Sequence, residues 1–138
     1  MALVARLALI SVGVGVLGCS EPATLIGNAC EAGITATVTR TAPPEFEWTP
    51  ACDIGTLYVT TEAGDPAWQV SSEPQADFTP TNQIHSGVVY GVLPPKTQAF
   101  TEATALVPGQ IYRVNLSVTD SQGHRTRVGS ATFSLPAE

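Results

Sequence analysis

From residue 33 onward the chain predicts an all-β, antiparallel sandwich or barrel, and three observations carry this. Apolar and polar residues alternate with a period of two through stretches rich in threonine and valine, the pattern of strands with one face in a core and the other in water. Glycine and proline interrupt the alternation every eight to fifteen residues, the spacing of turns between short strands. Helical periodicity does not compete anywhere after the amino-terminal apolar run.

The first predicted strand covers residues 34–40, with Ile34, Ala36 and Val38 on one face and Thr35, Thr37 and Thr39 on the other. Pro43-Pro44 ends it, because proline cannot donate to a ladder and restricts the residue before it. Residues 45–49 form the next strand, turning Phe46 and Trp48 to the core and Glu45 and Glu47 to water. Further strands are expected at residues 56–61, 67–71 and 88–92, divided by Gly64-Asp65-Pro66 and by a long polar stretch over residues 72–86. The clearest alternation lies at residues 111–119, where Tyr112, Val114, Leu116 and Val118 should line the core. Asp120-Ser121-Gln122-Gly123 makes a turn, and residues 128–135 return with Ala131, Phe133 and Leu135 inward, closing a carboxyl-terminal hairpin.

Leu106-Val107-Pro108-Gly109-Gln110-Ile111-Tyr112, continued by Arg113-Val114-Asn115-Leu116, resembles the L-x-P-G-x-x-Y-x-V-x-V pattern of fibronectin type III domains. Phe46-Glu47-Trp48-Thr49-Pro50 resembles that family's second strand with its core tryptophan. The likeness covers residues 33–135, except that residues 72–104 depart from the pattern. It implies an immunoglobulin-like, fibronectin type III-like sandwich with a tyrosine corner at Tyr112. Domains of this kind mostly serve as spacers or docking modules, and a fold does not by itself fix a function.

The amino terminus reads differently. Arg6 is followed by an apolar run from Leu7, ending in Val16-Leu17-Gly18-Cys19, which is the organisation of an export signal and too short for a spanning helix. The run resembles the lipobox of bacterial lipoproteins, although Leu17 stands where that family prefers a smaller residue. The resemblance implies a signal helix over residues 1–18, cleaved before Cys19, with diacylglyceryl on the Cys19 sulfur and acylation of the new amino terminus. Two or three such chains anchor firmly where one does not. The alternative is an ordinary secretory signal that leaves Cys19 an odd thiol. Ser20, in place of an aspartate, implies the outer rather than the inner membrane by the family's sorting rule.

With Cys19 given to the lipid, Cys30 and Cys52 remain of the three cysteines. In an oxidising envelope compartment they are expected to form a disulfide, worth roughly 3 kcal/mol in the chain-entropy model; two unlinked buried thiols are the alternative. Residues 19–32 read as the lipidated cysteine and a tether, and residues 33–138 as one domain. The chain after residue 18 carries all 12 acidic residues against five of the six basic ones, a balance of about −7, which argues against a nucleic-acid surface.

Catalytic and metal motifs are missing from the sequence. It has no G-x-S-x-G elbow, no CxxC and no calcium loop, and His85 and His124 sit in predicted loops. Glu45 with Glu47, and Arg125 with Arg127, read as solvated charges. Residues 87–93 are uncharged and read either as a strand buried on both faces or as an edge open to strand addition. Trp68, Tyr58 and Tyr90 are the candidate binding surface, since exposed aromatic rings hold sugars and partners; core burial is the competing reading for Trp68. The expectation is therefore a non-enzymatic, cofactor-free envelope module, held to the membrane by lipid and meeting another envelope or extracellular protein. The alternative is a glycan- or small-ligand-binding domain.

Overall fold

Eight antiparallel strands account for the alternation in a computed structural model that describes residues 28–137. They are β1 (Thr35–Val38), β2 (Glu45–Thr49), β3 (Thr56–Thr61), β4 (Pro66–Ser72), β5 (Val88–Val89), β6 (Thr97–Thr101), β7 (Tyr112–Thr119) and β8 (Arg125–Phe133). One sheet has the order β1-β2-β5 and the other β6-β4-β3-β7-β8. This is a two-sheet sandwich whose inner faces supply the core. The amino-terminal apolar run, Cys19 and residues 20–27 lie outside the described residues.

The inner faces follow the period-2 reading closely. Phe46 and Trp48 of β2 face Leu57 and Val59 of β3, Trp68 and Val70 of β4, and Tyr112, Val114, Leu116 and Val118 of β7, all of them buried. Ile54 and Ile84, just outside the strands, form an isolated bridge and are also fully buried. Burying each large aliphatic or aromatic side chain stabilises by about 1.5–3 kcal/mol. The corner expected before Tyr112 is present. Its hydroxyl accepts the Val107 N–H at 2.9 Å and donates to Gln110 Oε1 at 3.1 Å, which ties the turn to the start of β7.

Differences from the expected elements cluster in residues 72–104. β5 is two residues long, not five, because the chain turns at Tyr90 and Gly91. β6 was not expected at all: Thr-Gln-Ala-Phe-Thr has little apolar contrast, and it pairs along the outer side of β4 with a bulge at Gln69/Val70. β8 begins at Arg125 instead of residue 128, because the ladder with β7 starts immediately after the turn. Residues 28–32, expected to belong to the tether, are also part of the folded body, since a short 3-10 helix at Ala29–Ala32 carries the buried Cys30 and packs on β8.

The long polar stretch over residues 72–86 is fastened to the five-stranded sheet. Asn82 Nδ2 donates to Thr119 O and Asn82 Oδ1 accepts the Thr119 N–H, both at 2.8 Å, so the amide stands in for a strand partner. Gly55 makes room for this clamp: a Cβ there would lie 2.5 Å from Asn82 Oδ1 and 2.8 Å from Thr119 Oγ1. Gly129 plays the same part where β1 meets β8. A Cβ on it would lie 2.6 Å from Ile34 Cγ1 and 3.0 Å from Ile34 O, so only glycine lets the two edge strands approach here.

Candidate functional site

At the end of the sandwich where β1 begins, Cys30 and Cys52 are joined by a disulfide, with a Cα–Cα distance of 5.5 Å and a sequence separation of 22. The surroundings hold this corner rigid. Asn28 caps the 3-10 helix through Oδ1 on the Cys30 N–H at 2.9 Å, and its Nδ2 donates to Asp53 O. The Trp48 indole N–H donates to Cys52 O at 2.7 Å, which binds the bridge to the core tryptophan. Beside it, exposed His85 pairs with Asp53. His124 pairs with Asp120 at 3.1 Å in the β7–β8 turn. Neither histidine has a nucleophile placed against it by the hydrogen bonds of the described residues. Nor do three His, Cys, Asp or Glu side chains gather there as a metal site.

Burial places two of the three candidate aromatic residues in the core, as the competing reading had it for Trp68. Trp68 is 1 % exposed and Tyr90 8 %, and their rings meet edge to face at 5.2 Å. Tyr90 also touches Phe46, and its hydroxyl lies 2.7 Å from Thr104 O and 3.1 Å from Ala67 O, so it fastens the chain ahead of β7. Burial pushes the Tyr90 phenol above its usual range. Tyr58 is half-buried on the opposite, outer face of the five-stranded sheet, in register with Gln69 and Asn115. The three rings therefore do not form one open strip. A sugar needs accessible ring faces, and the two larger-buried rings have been spent on the core.

Other apolar groups are exposed. Phe78 is 85 % exposed and Phe100 59 %. Phe78 has φ 64, the left-handed region that favours glycine, within a tight loop where the Thr79 N–H bonds to Asp77 Oδ1 at 3.0 Å. The Thr79 hydrogen bonds hold the Asp77 carboxyl below its usual range. A shallow cleft of about 230 Å³ lies beneath this loop, between Pro74, Pro80 and Phe100.

Sheet edges are the remaining surface. The uncharged run at residues 87–93 is an edge of the three-stranded sheet, but only Val88 and Val89 pair with β2, and Val88 and Tyr90 are buried. β6 edges the other sheet and is broken by its bulge. β1 and β8, the remaining two edges, lie side by side. They share one backbone bond, Ile34 N–H to Val128 O at 2.9 Å, and then border a groove of about 670 Å³. Ala36, Val38, Ala131, Phe133 and Ile111 line it, with Arg40 as the sole charged side chain.

Sequence reasoning placed Ala36, Val38, Ala131 and Phe133 on inner faces but did not bring β1 and β8 together. A signal for the groove was present in both runs: neither residues 34–39 nor residues 128–135 carry a charge or a proline. No protein-family model matches the chain, and no curated protein or solved structure matches it.

Proposed function

We propose that the protein is a lipid-anchored bacterial envelope lipoprotein whose fibronectin type III-like sandwich acts as a non-enzymatic interaction module. The observation that carries this reading is the Cys30–Cys52 bond. Disulfides belong to oxidising, exported environments, and this pairing leaves Cys19, at the end of the lipobox-like run, as the one cysteine of three without a partner cysteine. The Tyr112 corner supports the type III likeness, because the hydroxyl-to-backbone bond is the contact that such a corner makes. A stapled sandwich offers fixed edges and loops, and an anchor raises its effective concentration against partners at the membrane.

Intact-mass spectrometry of the protein extracted from native membranes tests the reading. The expected species begins at Cys19 and carries acyl chains, and Cys19→Ser releases a folded, oxidised domain from the membrane. An unlipidated chain, or one with free thiols at Cys30 and Cys52, overturns the assignment. Recovery of the lipidated protein without any recurrent crosslinked partner overturns the interaction role.

A further inference from the structure

We propose that the groove between β1 and β8 receives an extended segment of a partner protein as an added β-strand, one with apolar side chains at alternate positions and a carboxylate at one end. The inference rests on the interaction-module reading and names the surface and the ligand chemistry.

Backbone direction is the first argument. Thr39 N–H donates to Glu45 O, so the ladder alternation turns the odd residues of β1 toward β2 and the even ones, Ala36 and Val38, away from it. Ile34 obeys the same rule when its N–H reaches Val128 O. On the other side, Glu62 N–H donates to Ile111 O, so the odd residues of β7 address β3 and the even ones address β8. Tyr112, Val114 and Leu116 thereby engage Phe133, Ala131 and Gly129. Ser130, Thr132 and Ser134 are left with their backbone groups turned outward. Two rows of donors and acceptors thus border one groove, and a strand is what satisfies such rows.

Side chains supply the second argument. The groove opens onto the core through Phe133, which meets Phe46 at 5.4 Å and Tyr112 at 5.6 Å. An entering strand would bury one alternate set of its side chains on this floor and leave the other set in water. Natural edges are usually blunted by charge, proline or a bulge. β6 has its bulge, and β5 is only two residues long, whereas the bordering residues 36–39 and 130–134 have no charge and no proline.

Charge complementarity selects the end of the ligand. Arg40 is the one charged residue lining the groove, takes part in no ion pair among the described residues, and belongs to a chain of net charge −6. Guanidinium groups bind carboxylates through paired N–H donors. An aspartate, a glutamate or a free carboxyl terminus at that end of the strand meets it.

The test uses the full mature chain and a library of twelve-residue peptides with free carboxyl termini. Selected binders are expected to alternate apolar residues and end in a carboxylate. They should slow amide exchange at Ala36, Val38, Ser130 and Thr132 by at least tenfold. Thr132→Pro removes an outward N–H that no ladder partner uses, and should abolish binding; Arg40→Gln should weaken it about threefold, as for a partly exposed ion pair. If the proline variant does not fold, N-methylation of alternate peptide residues imposes the same block from the ligand side.

A library without binders at 100 µM, or binders that leave these four amides unchanged, overturns the proposal. So does protection of the same amides without peptide that vanishes when residues 20–27 are removed, which gives the groove to the chain itself. None of these outcomes depends on lipidation, so failure here is separable from failure of the anchor assignment.

Discussion

Replacing both Cys30 and Cys52 by alanine opens a loop whose ends are 22 residues apart in sequence. Loop-closure entropy at that length is worth about 3 kcal/mol at 25 °C, acting through the unfolded chain. The 110 described residues imply an unfolding entropy of about 0.23 kcal/mol/K, so the expected drop in Tm is roughly 13–15 °C. Guanidinium unfolding followed by tryptophan fluorescence is the assay, because Trp48 and Trp68 are both buried. The variant should show a lower midpoint and a larger m-value, since an uncrosslinked unfolded chain exposes more surface. A loss under about 1 kcal/mol with an unchanged m-value would refute the unfolded-state argument. The same assay on the wild-type chain with and without reductant separates the bridge from any effect of alanine.

Gly129→Ala forces a Cβ to within 2.6 Å of Ile34 Cγ1 and is expected to cost about 1–3 kcal/mol, read as a lower denaturation midpoint with faster exchange at the Ile34 amide. Tyr112→Phe strips the acceptor from the Val107 N–H and should cost about 1–2 kcal/mol, measured by the same unfolding curve. The Asp120 carboxyl is held below its usual range first by the His124 backbone N–H and then by that of Gln122. Its contribution is therefore present above the ordinary carboxylate pKa and lost as pH falls through the depressed value, so the Gln122 and His124 amides should lose protection relative to their intrinsic exchange rates below about pH 4, and Asp120→Asn should remove that dependence. Tyr90 has the opposite sign: burial raises its phenol, so its contribution is complete below about pH 10 and is lost as pH rises through the raised value. Unfolding monitored by tyrosinate absorbance should show a late-titrating phenol that is absent from Tyr90→Phe.

The strands with strong apolar contrast were legible residue by residue. Phe46 and Trp48, or Tyr112 through Val118, can satisfy alternation in one way only, and a one-residue slip would expose every large side chain. β6 was not legible, because Thr97, Gln98, Ala99 and Thr101 are small or polar and the bulge breaks their phase. The fastening of the residue 72–86 stretch was hidden for a related reason: Asn82 does a strand's work with one side-chain amide, and a single residue has no period. Trp68 and Tyr90 were ambiguous because alternation says which residues share a face but not which of two faces is covered. The groove was out of reach altogether, since β1 and β8 stand at opposite ends of the described chain and their adjacency is a property of sheet closure.

The disulfide also decides how the protein bears load. A pull on the chain ahead of Asn28 arrives at Cys30 and crosses the sulfur bridge directly to Cys52. β1 and β2, enclosed between those cysteines, are left outside the line of force. Without the bridge, tension would pass through the short 3-10 helix into the four-residue edge strand β1, which would peel from β2 one hydrogen bond at a time. With it, traction reaches the fold just ahead of β3, at the middle of the larger sheet, where rows of bonds on both sides must fail together. Under the proposed amino-terminal anchor, the domain would be coupled to the surface through a covalent link that bypasses the edge strand β1.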